Sequence, residues 1–158
     1  MRCIVTAGPT YEPIDQVRRL TNHSTGSLGT GLAKRLASDG HEVILLRGIM
    51  ATYTEAIESL DTRIFTTTDD LAEKLKKLAE EFPDTFAVFH AAAVSDFCAR
   101  SVFQRKSDDK LIRLKNGKLS TREGKLLLEL CPTQKIILKL RSWYKKAQIF
   151  GWKYEVDG

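Results

Sequence analysis

The chain has no run approaching the roughly 18 apolar residues that a membrane-spanning helix needs. Its opening, MRCIVTAGPT, breaks a short apolar stretch at Gly8 and Pro9. Neither a membrane span nor a secretory leader is expected, and the chain reads as soluble and cytoplasmic. Cysteine is scarce: Cys3, Cys98 and Cys131 are odd in number and far apart in sequence. That spacing speaks against a disulfide framework or a zinc site and for reduced thiols, to which we assign no chemistry. Internal repeats, low-complexity segments and linkers are absent, so 158 residues at 42% hydrophobic content read as one domain. Aromatics are also few, and none interrupts the basic stretch QRKSDDKLIRLKNGKLSTREGK. The usual ground for a nucleic-acid partner is therefore missing.

Charge is present in quantity but unevenly placed. Residues 1–99 hold 10 Lys/Arg against 14 Asp/Glu, and residues 100–158 hold 15 against 6. The basic excess reads as a loop that is solvated or that lends lysines to an anionic small molecule.

Strand and helix patterns alternate. RCIVTAG (Arg2–Gly8) is rich in β-branched residues, as a strand buried on both faces would be. Leu28, Leu32, Ala33, Leu36 and Ala37 then fall at helical spacing, and Gly40 closes that helix. HEVILLRG (His41–Gly48) is the next strand, parallel to the first. RIFTT (Arg63–Thr67) is a short strand; Asp70 with Glu73 forms a capping box for a helix burying Leu71, Leu75, Leu78 and Phe82. FAVFHAAAVSD (Phe86–Asp96) is a strand running into a loop of small residues. Arg100 to Lys125 has weak periodicity and reads as a mobile excursion. LLLEL (Leu126–Leu130), a helix over Pro132–Tyr144 with Ile136, Ile137 and Leu140 inward, and a strand over Ala147–Val156 complete the series. The fold class is α/β, a Rossmann-like three-layer domain with a mainly parallel sheet. Because a core strand comes last, the chain reads as cut short.

The loop TNHSTGSLGTG (Thr21–Gly31) lies between the first strand and its helix, where backbone N–H groups and a helix N-terminus face an anion. Its glycines, Gly26, Gly29 and Gly31, are spaced G-x-x-G-x-G, which departs from the dinucleotide fingerprint. They could equally let the helix pack closely on the sheet. The segment PTYEPIDQVRRLTNHS stands between strand and glycines. It brings Thr10, Glu12, Asp15, Arg18, Arg19, Asn22 and His23, donors and charges suited to a carboxylate or phosphate substrate.

The block Val5–Gly48 resembles, without gaps, the start of phosphopantothenate–cysteine ligase. Three further blocks agree in order: FHAAAVSDF, GKLSTREGKLLLELCPTQKII and IFGWKYEVDG. The resemblance implies a dimeric enzyme of coenzyme A biosynthesis that uses Mg²⁺ and CTP, or else ATP. In such an enzyme the phosphopantothenate carboxylate attacks the nucleotide α-phosphate and releases pyrophosphate; cysteine's amine then displaces the nucleotide. It implies that Asn22 handles the acyl intermediate, with Arg18 in the same loop, and that Lys118 belongs to a flap over the triphosphate. It further implies nucleotide contacts from Gly8, Ser24, Thr25, Gly26, Ala92, Ala93, Asp96 and Trp152, and no protein metal ligand. A separate decarboxylase could act next in the pathway.

Three positions depart from the family pattern. Trp152 stands where phenylalanine is usual, Ser120 and Thr121 follow where a second lysine is common, and the family continues well past Gly158. The expectation is one ligase domain over residues 1–158 that lacks the family's C-terminal part. Two alternatives stay open: an NAD(P)-binding reductase, for which Arg47 ends the second strand as a ribose-phosphate reader, and a non-catalytic nucleotide-binding module. His90, inside an apolar strand, reads as a core histidine.

Overall fold

The computed structural model describes residues 1–53, 60–114 and 125–153. Five strands form a parallel sheet: β1 (Arg2–Ala7), β4 (Glu42–Gly48), β5 (Asp61–Phe65), β6 (Ala87–His90) and β10 (Gln148–Gly151). Their spatial order is β10-β6-β1-β4-β5, with every neighbouring pair parallel. The chain builds outward from β1 in one direction through β4 and β5, then in the other through β6 and β10. The order therefore reverses between β1 and β6, the place where sheets of this kind form a ligand crevice at the carboxyl ends of their strands.

Among the described residues three helices cover the sheet: α1 (Ser27–Ser38), α2 (Thr68–Glu81) and α3 (Ile136–Trp143). The two-residue period of β1 divides the core. Cys3, Val5 and Ala7 pack with Ala33 of α1, whereas Ile4 packs with Leu71, Leu75 and Leu78 of α2 and Ile136 and Leu140 of α3. Full burial of each such leucine contributes about 1.5–3 kcal/mol. Ile137 corrects the expected inward face of α3: it is 42% exposed and lies against Gly151 at the sheet edge.

The capping box also shifts. Thr67 is the N-cap of α2 and accepts from Asp70 N at 3.2 Å, while the Asp70 carboxylate accepts from Thr66 N at 2.8 Å. Glu73 instead pairs with Lys77, one turn on, at 2.6 Å. Threonine at 67 takes the cap because its hydroxyl reaches the free amide of Asp70, one turn before the Glu73 amide that an Asp70 cap would have reached.

Two smaller sheets rise from the carboxyl edge. The inserted segment is a hairpin of β2 (Tyr11–Pro13) and β3 (Arg19–Thr21). The second sheet joins β7 (Phe97–Arg105), β8 (Leu111–Arg113) and β9 (Leu126–Pro132) in the antiparallel order β8-β7-β9. Arg100 to Arg113 therefore corrects the reading of a mobile excursion. Its alternation was hidden by a register shift between Ala99 and Ser101, where a bulge breaks the period of two.

Candidate functional site

The crevice between β1 and β6 is closed at its base by backbone pairing that continues past the strands. Ala93 N donates to Gly8 O at 3.0 Å, and Thr10 N donates to Ala93 O at 3.1 Å. Gly8 and Gly26 both adopt left-handed backbone, at φ 81° and 83°. Side chains are excluded there by space as well as by φ. A Cβ on Gly26 would lie 3.1 Å from Gly8 N, and one on Gly8 would lie 2.7 Å from Ala51 Cβ. Gly26 is the N-cap of α1, provides no side-chain cap, and is followed by a first turn without an acidic residue. No carboxylate of its own first turn compensates the positive end of α1, which starts at Gly26 beside Gly8.

Threonine hydroxyls hold the loop after β6. Thr6 Oγ1 accepts from Ala92 N and lies beside His90 Nδ1, both at 3.0 Å. Burial pushes the His90 imidazole down to about 4, so it is neutral at pH 7. Thr10 Oγ1 accepts from Ser95 N at 2.8 Å and reaches Ser95 Oγ at 3.2 Å. The hairpin joins the same cluster: Thr21 Oγ1 donates to Thr10 O at 2.8 Å, and Asn22 Nδ2 donates to Val94 O at 3.0 Å. Glu12, buried on β2, accepts from Thr68 N at 3.0 Å and so caps α2 beside the crevice.

Five expected residues from three stretches of sequence thus converge: Gly8, Asn22, Gly26, Ala92 and Ala93. Ser24 and Thr25 lead into α1; Ser24 N donates to Asn22 O, and Thr25 Oγ1 accepts from Ser27 N. The Ala92 and Ala93 amides are committed to Thr6 Oγ1 and Gly8 O, and the Ala92 side chain packs, partly buried, against the core. Arg18 sits at the hairpin turn, ion-paired with the buried Asp15 carboxylate. Asp96 is exposed at the root of the 92–96 loop and pairs with Lys135 of the β9–α3 turn. Trp152 leaves β10 next to Gly151, which is in register with His90, so it stands at the same sheet edge, half exposed. Lys118, Ser120 and Thr121 lie outside the described residues.

The glycine-rich run serves two purposes. A Cβ on Gly29 would lie 2.6 Å from Thr6 O, so Gly29 allows α1 to rest on β1; Gly31 has nothing within 4 Å. Sequence reasoning missed the hub roles of Thr6, Thr10 and Ser95, because each hydroxyl finds its partner across some 85 residues. It also misread Arg47. The Nη2 of Arg47 donates to Ala51 O and Tyr53 O, and Tyr53 N donates to Thr25 O. Arg47 therefore clamps the segment after β4 over the loop before α1, which corrects its reading as a ribose-phosphate reader. The signal available was Gly48, where a Cβ would lie 2.4 Å from Pro9 O and which marks a crowded strand end.

The DNA/pantothenate metabolism flavoprotein C-terminal domain model matches residues 1–157. A cysteine/cysteine sulfinic acid decarboxylase from an unknown prokaryotic organism is 32% identical, over 99% of this chain and 39% of that protein. The coenzyme A biosynthesis bifunctional protein CoaBC of Methanocaldococcus jannaschii is 31% identical, over 99% of this chain and 34% of that protein. The chain thus spans between a third and two fifths of the length of these curated relatives. Among solved structures, the DNA/pantothenate metabolism flavoprotein from Streptococcus pneumoniae superposes with a TM-score of 0.77 at 31% identity. That likeness covers 94% of this chain and 67% of the other.

Proposed function

The chain belongs to the DNA/pantothenate metabolism flavoprotein C-terminal domain family, and from that premise we propose that it joins phosphopantothenate to cysteine in coenzyme A biosynthesis. The convergence of Gly8, Asn22, Gly26, Ala92 and Ala93 at the β1/β6 crevice carries the reading. Gly8 and Gly26 let the loop before α1 pack directly on the end of β1 and on Ala51, which sets the α1 N-terminus beside the carboxyl end of β1. The loop of small residues that begins at Ala92 and Ala93 is proposed to receive the base. Asn22, tied by Nδ2 to Val94 O, keeps its Oδ1 lone pairs for a donor on the substrate.

In the proposed reaction the phosphopantothenate carboxylate attacks the α-phosphorus of a nucleoside triphosphate, giving an acyl-nucleotide and pyrophosphate. Cysteine's amine then attacks the acyl carbon, the nucleoside monophosphate leaves, and the nitrogen loses a proton. Joining two anions makes positioning and cationic stabilisation the main contributions to rate. Arg18 and Lys118 are the proposed cations, and CTP is the proposed nucleotide. Trp152 is proposed to pack on the nucleotide and Asp96 to border it.

Among the described residues no group of three or more His, Cys, Asp or Glu is placed to hold a metal. Mg²⁺ is therefore proposed to enter on the triphosphate, with phosphate oxygens and water as ligands, as that ion prefers.

A homodimer belongs to the same proposal. Leu126, Leu128 and Leu130 alternate along β9 and are all exposed, with Phe97 and Ile112 exposed on the paired strands. This ladder is an apolar face suited to a second copy. Among the described residues no helix is long and apolar enough to cross a membrane, and a cytoplasmic location is proposed. The bifunctional and decarboxylase relatives support a decarboxylase as the partner acting next.

The test is pyrophosphate release from CTP and, separately, ATP, with and without phosphopantothenate and cysteine. Release that requires phosphopantothenate supports the ligase and identifies its nucleotide. Nucleotide binding without release supports a non-catalytic module, and NADPH binding without release supports a reductase.

A further inference from the structure

Two cysteines that are 33 positions apart in sequence meet across a sheet. Cys98 on β7 and Cys131 on β9 are directly opposed in the antiparallel register, and both are free and half-buried. Opposed residues carry their side chains on one face, with Cα atoms about 4.5–5.5 Å apart. Disulfides span Cα separations of roughly 4.4–6.8 Å. We propose that Cys98 and Cys131 form a reversible intramolecular disulfide, a modification site separate from the β1/β6 crevice.

Register also indicates what kind of bond this is. Thr133 N donates to Asp96 O at 2.9 Å, which makes Asp96 and Thr133 a hydrogen-bonded pair. Two residues further along, Cys98 and Cys131 fall at the same type of pair, the wider of the two. Closure must draw the Cβ atoms from about 5.5 Å to about 4 Å. The bulge between Ala99 and Ser101 lies next to the pair and gives β7 room to move. A bond closed against such resistance belongs to the labile, readily reduced class.

The surroundings divide the labour. Arg100 Nη1 points a donor at Cys131 Sγ from 4.0 Å, placing a cation against the sulfur that carries negative charge when it attacks. The oxidant is a low-molecular-weight disulfide. The Cys131 thiolate attacks one of its sulfurs, the S–S bond breaks, and one small thiolate leaves a mixed disulfide on the protein. The Cys98 thiolate then attacks Cys131 Sγ and expels the second small thiolate. Two protein thiols are oxidised, and one small disulfide is reduced to two thiols. Cys3 stands aside: it is buried in β1, where desolvation pushes its thiol up.

The closed bond would tie β7 to β9 at the roots of the 92–96 loop and of the turn into α3, where Thr133 Oγ1 already donates to Ser95 O. The inference is independent of the ligase reading, because its test counts thiols and not turnover. Reduced protein is titrated with oxidised glutathione, denatured, and tagged with maleimide for intact mass, and unlabelled protein is digested without reductant. The expected result is a fall from three tags to one, a mass loss of two hydrogens, and a linked peptide pair holding Cys98 and Cys131. Cys98→Ser should stall with a single glutathione retained on Cys131. Three tags at every glutathione ratio, glutathione adducts that persist on both thiols of the unsubstituted protein, or a crosslink between copies would overturn the proposal.

Discussion

Alanine at position 29 and alanine at position 31 should move stability in opposite directions, although both replace a glycine on α1. A Cβ at Gly29 would stand 2.6 Å from Thr6 O, 2.7 Å from Ala7 Cβ and 3.0 Å from Ala7 Cα. All three atoms belong to β1, a central strand paired on both sides, so they cannot swing aside as a surface side chain would. Restoring the 3.4 Å at which ordinary contact begins requires α1 to lift by about 0.8 Å. Overpacking of this sort costs roughly 1–3 kcal/mol, and the gain in helix propensity from Gly to Ala returns only about 1 kcal/mol. With rigid backbone on the far side, the upper end of the packing cost applies and the net loss is ~2 kcal/mol. Gly31 meets nothing within 4 Å, so its alanine keeps the whole propensity gain of ~1 kcal/mol. At about 2–4 °C per kcal/mol for a chain of this size, Gly29→Ala should melt roughly 4–8 °C lower and Gly31→Ala roughly 2–4 °C higher. Thermal unfolding followed by circular dichroism reads both. The lifted helix also carries Gly26 away from Gly8, so Gly29→Ala should bind nucleoside triphosphate more weakly while Gly31→Ala is unaffected. Equal melting temperatures for the two variants would refute the close-packing argument.

Other predictions concern the hydroxyl cluster, the buried imidazole and the hairpin. His90 titrates near 4 in the fold and near 6.5 in the unfolded chain. The unfolded state therefore binds more protons between those values, and stability falls as pH drops through that window, by at most ~3 kcal/mol. Urea midpoints at pH 7.5 and pH 5 should differ accordingly, and His90→Gln should flatten the difference. Thr10→Val leaves the buried Ser95 amide without its acceptor, a loss of about 1–3 kcal/mol. Faster amide hydrogen exchange across residues 92–96 would reveal it, and unchanged exchange would contradict the hub role. Asn22→Asp replaces the donor to Val94 O with an acceptor. Phosphopantothenate-dependent pyrophosphate release should persist while acyl-nucleotide accumulates and amide formation falls, and normal amide turnover would rule out this role for Asn22. Lys118→Gln should raise the KM for the triphosphate, measured in the same assay; an unchanged KM would remove Lys118 from triphosphate binding.

Much of the architecture was legible because its signals are local. The apolar runs of β1 and β4, the leucine spacing of α2 and the glycine after α1 each lie within a dozen residues, and they led to the observed strand and helix order. The antiparallel sheet was not legible, since the bulge near Ser101 breaks the alternation by which β7 would have been recognised. The candidate site was legible as a set of residue types but not as a set of partners. Gly29 and Gly31 look alike in a G-x-x-G-x-G spacing, yet only Gly29 has a strand beneath it. Arg47 looked like a charge aimed at a ligand until its guanidinium was seen to hold two carbonyls.

By itself the sequence determined a Rossmann-like α/β domain, because periodicity is a property of neighbours along the chain, and four blocks of it carried the resemblance to the family. Only the tertiary structure decided that Thr10 and Ser95 share a hydrogen bond, that the Ala92 and Ala93 amides face inward, and that Cys98 opposes Cys131. Those pairings depend on sheet register and on the reversal of strand order between β1 and β6, which bring together segments that no local pattern connects.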